Sequence, residues 1–131
     1  QANPRYWLTP PDVYAALDAE FCFDFDPCPH PRPGGFNGLA VPWGASNYVN
    51  PPFCRKDAPE GGPSAFARKA IAERALGRTS VIILPVPNSI GLLLEAGAEI
   101  RYGGQIRWLD ADTRKPCGVA RRQLVAVLKG E

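Results

Sequence analysis

The sequence predicts an α/β domain with a mixed, mostly parallel sheet, helices on its faces and an antiparallel C-terminal edge. Three observations predict it. Helical and strand-like patterns alternate as far as Gly97. T-S-V-I-I-L at 79–84 is a continuous apolar run of the kind covered on both faces. Beyond Glu99 the chain reads as successive strands.

The size and composition agree with one such domain spanning 1–131. A chain of 131 residues, 45% apolar and 21% charged, carries enough apolar side chains for a single core and too few charges for disorder. A formal charge of +2 and a pI near 8.5 permit a nucleic-acid partner without arguing for one. No apolar run approaches the ~20 residues needed to cross a bilayer, and Q-A-N-P-R-Y-W has no signal-peptide layout, so a cytoplasmic protein with no membrane partner is expected. Cys22, Cys28, Cys54 and Cys117 form no C-x-x-C pair, which points to reduced thiols. With His30 they match none of the usual zinc spacings, so no metal is expected.

The first element is a helix at about 10–19 in T-P-P-D-V-Y-A-A-L-D. Thr9 is a suitable N-cap, Pro10 suits the first helical position, and Val13, Ala16 and Leu17 make one apolar face. Phe21, Phe23 and Phe25 then alternate with Cys22, Asp24 and Asp26, the pattern of a strand that ends in an acid at Pro27. A loop rich in proline and glycine leads to S-N-Y-V-N, a second strand. S-A-F-A-R-K-A-I-A-E-R-A-L-G reads as a helix stopped by Gly77, and S-I-G-L-L-L-E-A-G as a short helix stopped by Gly97. E-I-R-Y and Q-I-R-W-L are expected as two strands around Gly103-Gly104, and R-Q-L-V-A-V-L as the last strand.

Two strand ends in this layout carry a polar group followed at once by proline: Asp26-Pro27 and Asn50-Pro51-Pro52-Phe53. Ligands of open α/β sheets sit at the carboxyl ends of the strands, so the two should face one cleft. Two prolines lock the chain after Asn50 and fix the directions of its side-chain carbonyl and a nearby backbone carbonyl. Two fixed acceptors suit an exocyclic aromatic amine such as adenine N6, whose delocalised lone pair becomes a nucleophile when its hydrogens are held and the developing positive charge is stabilised. Phe53 can stack on the base. Asn-Pro is also an ordinary turn starter, and Phe53 an ordinary core residue.

The motif is similar to the Asp/Asn/Ser-Pro-Pro-aromatic signature of S-adenosylmethionine-dependent amino-methyltransferases. In order and spacing, W-L-T-P-P, E-F-C-F-D-F-D-P-C-P, F-N-G-L-A-V-P-W, Y-V-N-P-P-F, R-K-A-I-A-E, V-I-I-L-P-V, A-E-I-R-Y-G-G-Q-I-R-W and Q-L-V-A-V-L resemble the small phage-type DNA N6-adenine methyltransferases. The resemblance implies a minimal Rossmann-like class I methyltransferase fold, with no separate target-recognition domain. It further implies S-adenosylmethionine as cofactor, DNA with a flipped-out adenine as partner, and direct in-line methyl transfer. A homodimer is a possible assembly.

Carried onto this chain, the resemblance implies that Asn50, Pro51, Pro52 and Phe53 hold the target base. Trp7, Thr9 and Pro10, with Asp26, Pro27 and Cys28, would border the methionine end of the cofactor. The Asp26 carboxylate would accept from its ammonium, and the helix start near Thr9 would offer N–H groups to its carboxylate. Asn37, Gly38 and Leu39 stand where ribose or adenine contacts are expected, and Arg55 and Lys56 where phosphates would pass. The chain departs from the pattern in three ways. It has no G-x-G after Cys28, too little sequence between Cys28 and Pro52 for the usual second and third strand-helix units, and Asn37, Asn88 and Gln105 at positions where acidic, aromatic or Arg residues are more usual. The alternatives are an RNA or protein-amide methyltransferase using the same acceptors, or a nucleic-acid binder on a decayed methyltransferase fold.

Overall fold

A computed structural model describes residues 7–29, 33–51, 62–84, 90–110, 113–116 and 121–131. Its order is β1 (Trp7–Leu8), α1 (Pro11–Phe21), β2 (Ser46–Val49), α2 (Pro63–Ala75), β3 (Thr79–Leu84), α3 (Ile90–Glu95), β4 (Glu99–Ile106), β5 (Leu109–Asp110) and β6 (Arg121–Leu128). The fold is α/β, with a four-stranded mixed sheet and three helices.

The sheet order is β2-β3-β6-β4. β2 and β3 pair in parallel through the α2 crossover, and β6 pairs antiparallel with β3 on one side and β4 on the other. Three strands therefore run one way and β6 runs against them. The C-terminal strand is antiparallel as expected, but it is interior rather than at an edge, which corrects the sequence reading. Its apolar face explains the placement: Val125, Ala126, Val127 and Leu128 are all buried, so both sides of the strand need a neighbour's cover.

Helices cover both faces. On one, Val13 and Leu17 of α1 pack with Tyr48, Val81, Ile83, Ile106, Trp108, Val125 and Val127. On the other, Phe66, Ala67 and Ala70 of α2 and Leu93 of α3 pack with Val49, Ile82, Leu84, Ala126 and Leu128. Alternate residues of β3 thus enter different cores, which is why it is apolar without a break from Val81 to Leu84. Each such Ile or Val contributes about 1.5–3 kcal/mol by leaving water. Gly77 and Gly97, with φ of 86° and 83°, follow the ends of α2 and α3, as their positions predict.

The expected strand over Phe21–Asp26 does not form. Phe21 is the last residue of α1, Cys22 adopts a left-handed φ of 52°, and only Phe25 makes a bridge, parallel to Asn47. The left-handed cap breaks the alternation, so Phe21 and Phe23 join the α1-side core while Phe25 packs on the opposite one. Asp24 adds to the interruption, because its carboxylate accepts from the N–H groups of Ala45 and Ser46 and holds the start of β2. E-I-R-Y and the first half of Q-I-R-W-L form one strand, β4, with an irregularity between Tyr102 and Gly104 instead of a break. Leu109 and Asp110 pair with β1 as a separate two-stranded ribbon.

Among the described residues, no helix is long and apolar enough to cross a membrane.

Candidate active site

A pocket of about 340 Å³ opens at the end of β2, lined by residues from four parts of the chain. The β1–β5 ribbon supplies Leu8 and Leu109, and the start of α1 supplies Thr9, Pro11 and Tyr14. Asp26 and Cys28 come from the chain after the Phe25 bridge, Tyr48 and Asn50 from β2 and its end, and Arg114 from the turn after β5.

The local geometry follows from β2. Phe25 and β2 run in parallel, with the Tyr48 N–H donating to Phe25 O at 3.1 Å, so Asp26 and Asn50 leave neighbouring segments at the same end. Tyr48 and Asn50 lie two residues apart and so share the α1 face of the strand, whereas Val49 enters the opposite core. Asn47 holds the other end of β2: its side chain accepts from Gly44 N–H and donates to Gly44 O and Thr79 O, which satisfies a fully buried amide.

Asp26 Oδ1 accepts from the Cys28 N–H at 2.8 Å. Surrounding protein desolvates the carboxyl and raises its pKa to about 6 against the opposing effect of that bond, even though the residue still opens to solvent. Asp26 also raises the pKa of Tyr14, Tyr48 and Cys28 and so disfavours their ionisation, in each case behind burial as the main cause. Tyr48 and Cys28 are ordinarily neutral near pH 7, and burial moves both further from ionising. A buried thiol held neutral is a poor nucleophile, so Cys28 is a wall residue.

Thr9 does not cap α1. The N-cap is Pro10 and no side-chain cap bond forms; Thr9 Oγ1 instead lies 2.5 Å from the Tyr48 hydroxyl. The helix start is also poorer in donors than the sequence reading expects. Pro10 and Pro11 have no N–H, and Asp12 places a carboxylate in the first turn.

The cofactor residues expected from the sequence are brought together only in part. Thr9, Asp26 and Cys28 line the pocket together with Asn50 of the base-holding motif. Pro10 and Pro27 flank lining residues, and Pro51 is buried beside Asn50. Asn37, Gly38 and Leu39 do not line it. Asn37 Oδ1 accepts from Leu39 N–H in a local turn, and Leu39 packs on the α2-side core. Gly38 lies so close to the chain before Cys28 that a Cβ there would stand 2.0 Å from Pro27 O. These three residues lie behind the Asp26–Cys28 segment, the floor of the pocket, and not in its lining. Pro52, Phe53, Arg55, Lys56 and Asn88 lie outside the described residues, as do His30, Cys54, Cys117 and the Trp7 side chain.

A chain of contacts fixes this floor. Gly38 O accepts from Trp43 Nε1 at 2.7 Å, the Trp43 N–H donates to Glu73 Oε1 at 3.1 Å, and Glu73 is ion-paired with Lys69 and Arg78. Burial opposes ionisation of Glu73, but the two cations and the Trp43 N–H outweigh it and hold its pKa at about 2. Among the described residues, no group of His, Cys, Asp or Glu side chains is arranged to hold a metal ion.

Tyr14, Tyr48 and Arg114 belong to the site and were not anticipated. Tyr48 was legible, because strand alternation pairs it with Asn50. Tyr14 follows Pro11 by three residues and therefore shares its helix face. Its ring meets that of Tyr48 edge-on at 5.1 Å. Arg114 carries no such signal, since only the β1–β5 pairing brings it to the pocket. Its φ of 61° is left-handed, at a cost of about 1–3 kcal/mol for a residue other than glycine.

Compared with known proteins, the chain matches no family model, no curated protein and no solved structure.

Proposed function

We propose that the chain is an S-adenosylmethionine-dependent DNA methyltransferase acting on the N6 amine of adenine, built on a reduced Rossmann-like class I methyltransferase fold. One observation carries the reading: Thr9, Asp26 and Asn50, far apart in sequence, line a single pocket at the ends of two parallel segments. That is where an open α/β sheet binds its ligand. The reduced form agrees with the described residues between Phe25 and β2, which form turns and neither helix nor strand.

In this reading Asp26 takes the cofactor ammonium and the Asn50 side-chain carbonyl holds the adenine amine. Asn50 and a backbone carbonyl of the Asn50–Phe53 motif accept from the two N6 hydrogens. Bound S-adenosylmethionine would supply a sulfonium methyl for the N6 lone pair that Asn50 helps to localise, with the C–S electron pair leaving on sulfur and the N6 proton passing to solvent. Tyr14 and Tyr48 provide a neutral aromatic wall beside a cationic cofactor, an arrangement that favours positive charge over a ring face. Catalysis is then positioning plus electrostatics, with no covalent enzyme intermediate.

The test is label transfer. Purified protein with methyl-labelled S-adenosylmethionine is offered adenine-containing DNA, the matching RNA and an Asn/Gln-containing peptide in parallel. Label recovered as N6-methyldeoxyadenosine supports the reading. Label confined to RNA or peptide reassigns the substrate, and failure to bind the cofactor at all overturns the reading.

A further inference from the structure

Among the described residues, the charged side chains lining the pocket are Asp26 and Arg114, one of each sign. Among the described residues the Arg114 side chain has no hydrogen-bond or ion-pair partner, and it is exposed. The backbone that carries it is nevertheless well fixed. The Arg114 N–H donates to Asp110 O at 2.8 Å, the Thr113 N–H to Asp110 Oδ1 at 2.9 Å, and the Asp110 N–H to Lys115 O at 2.9 Å. Asp110 is itself buried and paired with Trp7 in the ribbon. A tight turn anchored on a buried acid therefore holds an arginine in a left-handed conformation that glycine or asparagine would adopt more readily. Such an outlier at a pocket wall argues for a job done by the side chain.

A cofactor whose ammonium meets Asp26 also brings a carboxylate into the pocket. The start of α1 is poorly equipped to receive it, because Pro10 and Pro11 have no N–H and Asp12 is an acid in the first turn. The geometry points to Arg114 as the residue that binds the carboxylate of the cofactor's amino-acid end, so that Asp26 and Arg114 together select a zwitterionic head group. This inference rests on the proposed function and deepens it. Arginine suits the task because its planar fork can hold both carboxylate oxygens.

The test is calorimetry with two ligands, S-adenosylhomocysteine and 5′-methylthioadenosine, the second of which lacks the amino-acid end. Relative to wild type, R114Q should weaken S-adenosylhomocysteine at least 10-fold and leave 5′-methylthioadenosine within 2-fold. R114K should retain part of the affinity. R114G relieves the left-handed backbone, so its fold is secure, and it should show the same ligand-selective loss. Equal losses for both ligands, or none, overturn the assignment. So does a loss confined to binding of a short DNA duplex with a shallower salt dependence, which would make Arg114 a phosphate contact. If the wild type binds neither nucleoside, the proposed function fails, and this inference fails with it.

Discussion

Thr9 Oγ1 and the Tyr48 hydroxyl lie 2.5 Å apart, which ties the residue ahead of α1 to the middle of β2. The bond spans 39 positions of sequence and closes one side of the pocket. Thr9 is therefore held by the sheet rather than by the helix it precedes.

Tyr48→Phe removes that bond while keeping the ring against Tyr14 and Phe23. It should cost roughly 1 kcal/mol, the usual net value of one such bond. Thr9→Val should cost a similar amount. In a double-mutant cycle by urea denaturation the two should couple by at least about 0.5 kcal/mol. Strict additivity would show that the hydroxyls do not interact in solution.

Asp26 should show opposite effects on folding and on binding. Its pKa is raised from 3.8 to about 6, so the protonated form is the one the unliganded fold prefers. The resulting stability is present below about pH 4 and is lost as pH rises through about 6. Asp26→Asn should thus stabilise the unliganded protein at pH 7–8, by on the order of 1 kcal/mol after allowing for the residue's exposure, and should make no difference near pH 3.5. Cofactor binding needs the ionised form. Wild-type affinity should therefore fall as pH is lowered through 6, and the Asn variant should bind weakly at every pH. Thermal melts and calorimetry across pH 3.5–8 check both halves.

Glu73 is a structural acid with the reverse pH behaviour. Its pKa is lowered from 4.5 to about 2, so its contribution is present above about pH 4.5 and lost as pH falls through about 2. Glu73→Gln leaves Lys69 and Arg78 without their shared carboxylate and weakens the acceptor for Trp43 N–H. The expected cost is roughly 2–3 kcal/mol at pH 7, less than for a fully buried pair because both cations reach solvent. Denaturation at pH 7 and pH 2 should show the difference between wild type and variant shrinking at the lower pH.

Gly38→Ala tests whether the floor positions the site. An added Cβ would stand 2.0 Å from Pro27 O and 2.9 Å from Pro27 C, so either the 37–39 turn or the Asp26–Cys28 segment must move. Stability should drop by about 1–3 kcal/mol, and cofactor affinity should drop with it although Gly38 does not touch the pocket. Wild-type affinity in the folded variant would detach the floor from the binding site.

Local patterns made much of the fold legible. The helix start at Pro-Pro-Asp, the stops at Gly77 and Gly97 and the apolar run of β3 are all short-range signals. What escaped the sequence depends on long-range pairing. Nothing in R-Q-L-V-A-V-L says that β6 inserts between β3 and β4, and nothing in W-L or L-D says that those dipeptides meet. The Phe21–Asp26 alternation misled because a left-handed Cys22 and the side-chain bonds of Asp18 and Asp24 outcompeted strand pairing. Within the site, Asp26 and Asn50 were legible as strand-end polar groups before proline. Arg114 was not, since its relevance arises only when the ribbon folds over the pocket.

Asn50 is the proposed acceptor for the reacting amine, and single-turnover methyl transfer measures that role directly. With enzyme and cofactor saturating over a short adenine-containing duplex, Asn50→Ala should slow transfer by about 100-fold or more, the scale for losing one preorganised transition-state acceptor. Cofactor affinity measured alongside should change less than about 3-fold, since a larger change would mean a disturbed pocket. An Asn50→Ala protein that binds cofactor normally and methylates adenine at the wild-type rate would contradict the account and leave Asn50-Pro51-Pro52-Phe53 as a turn that closes β2.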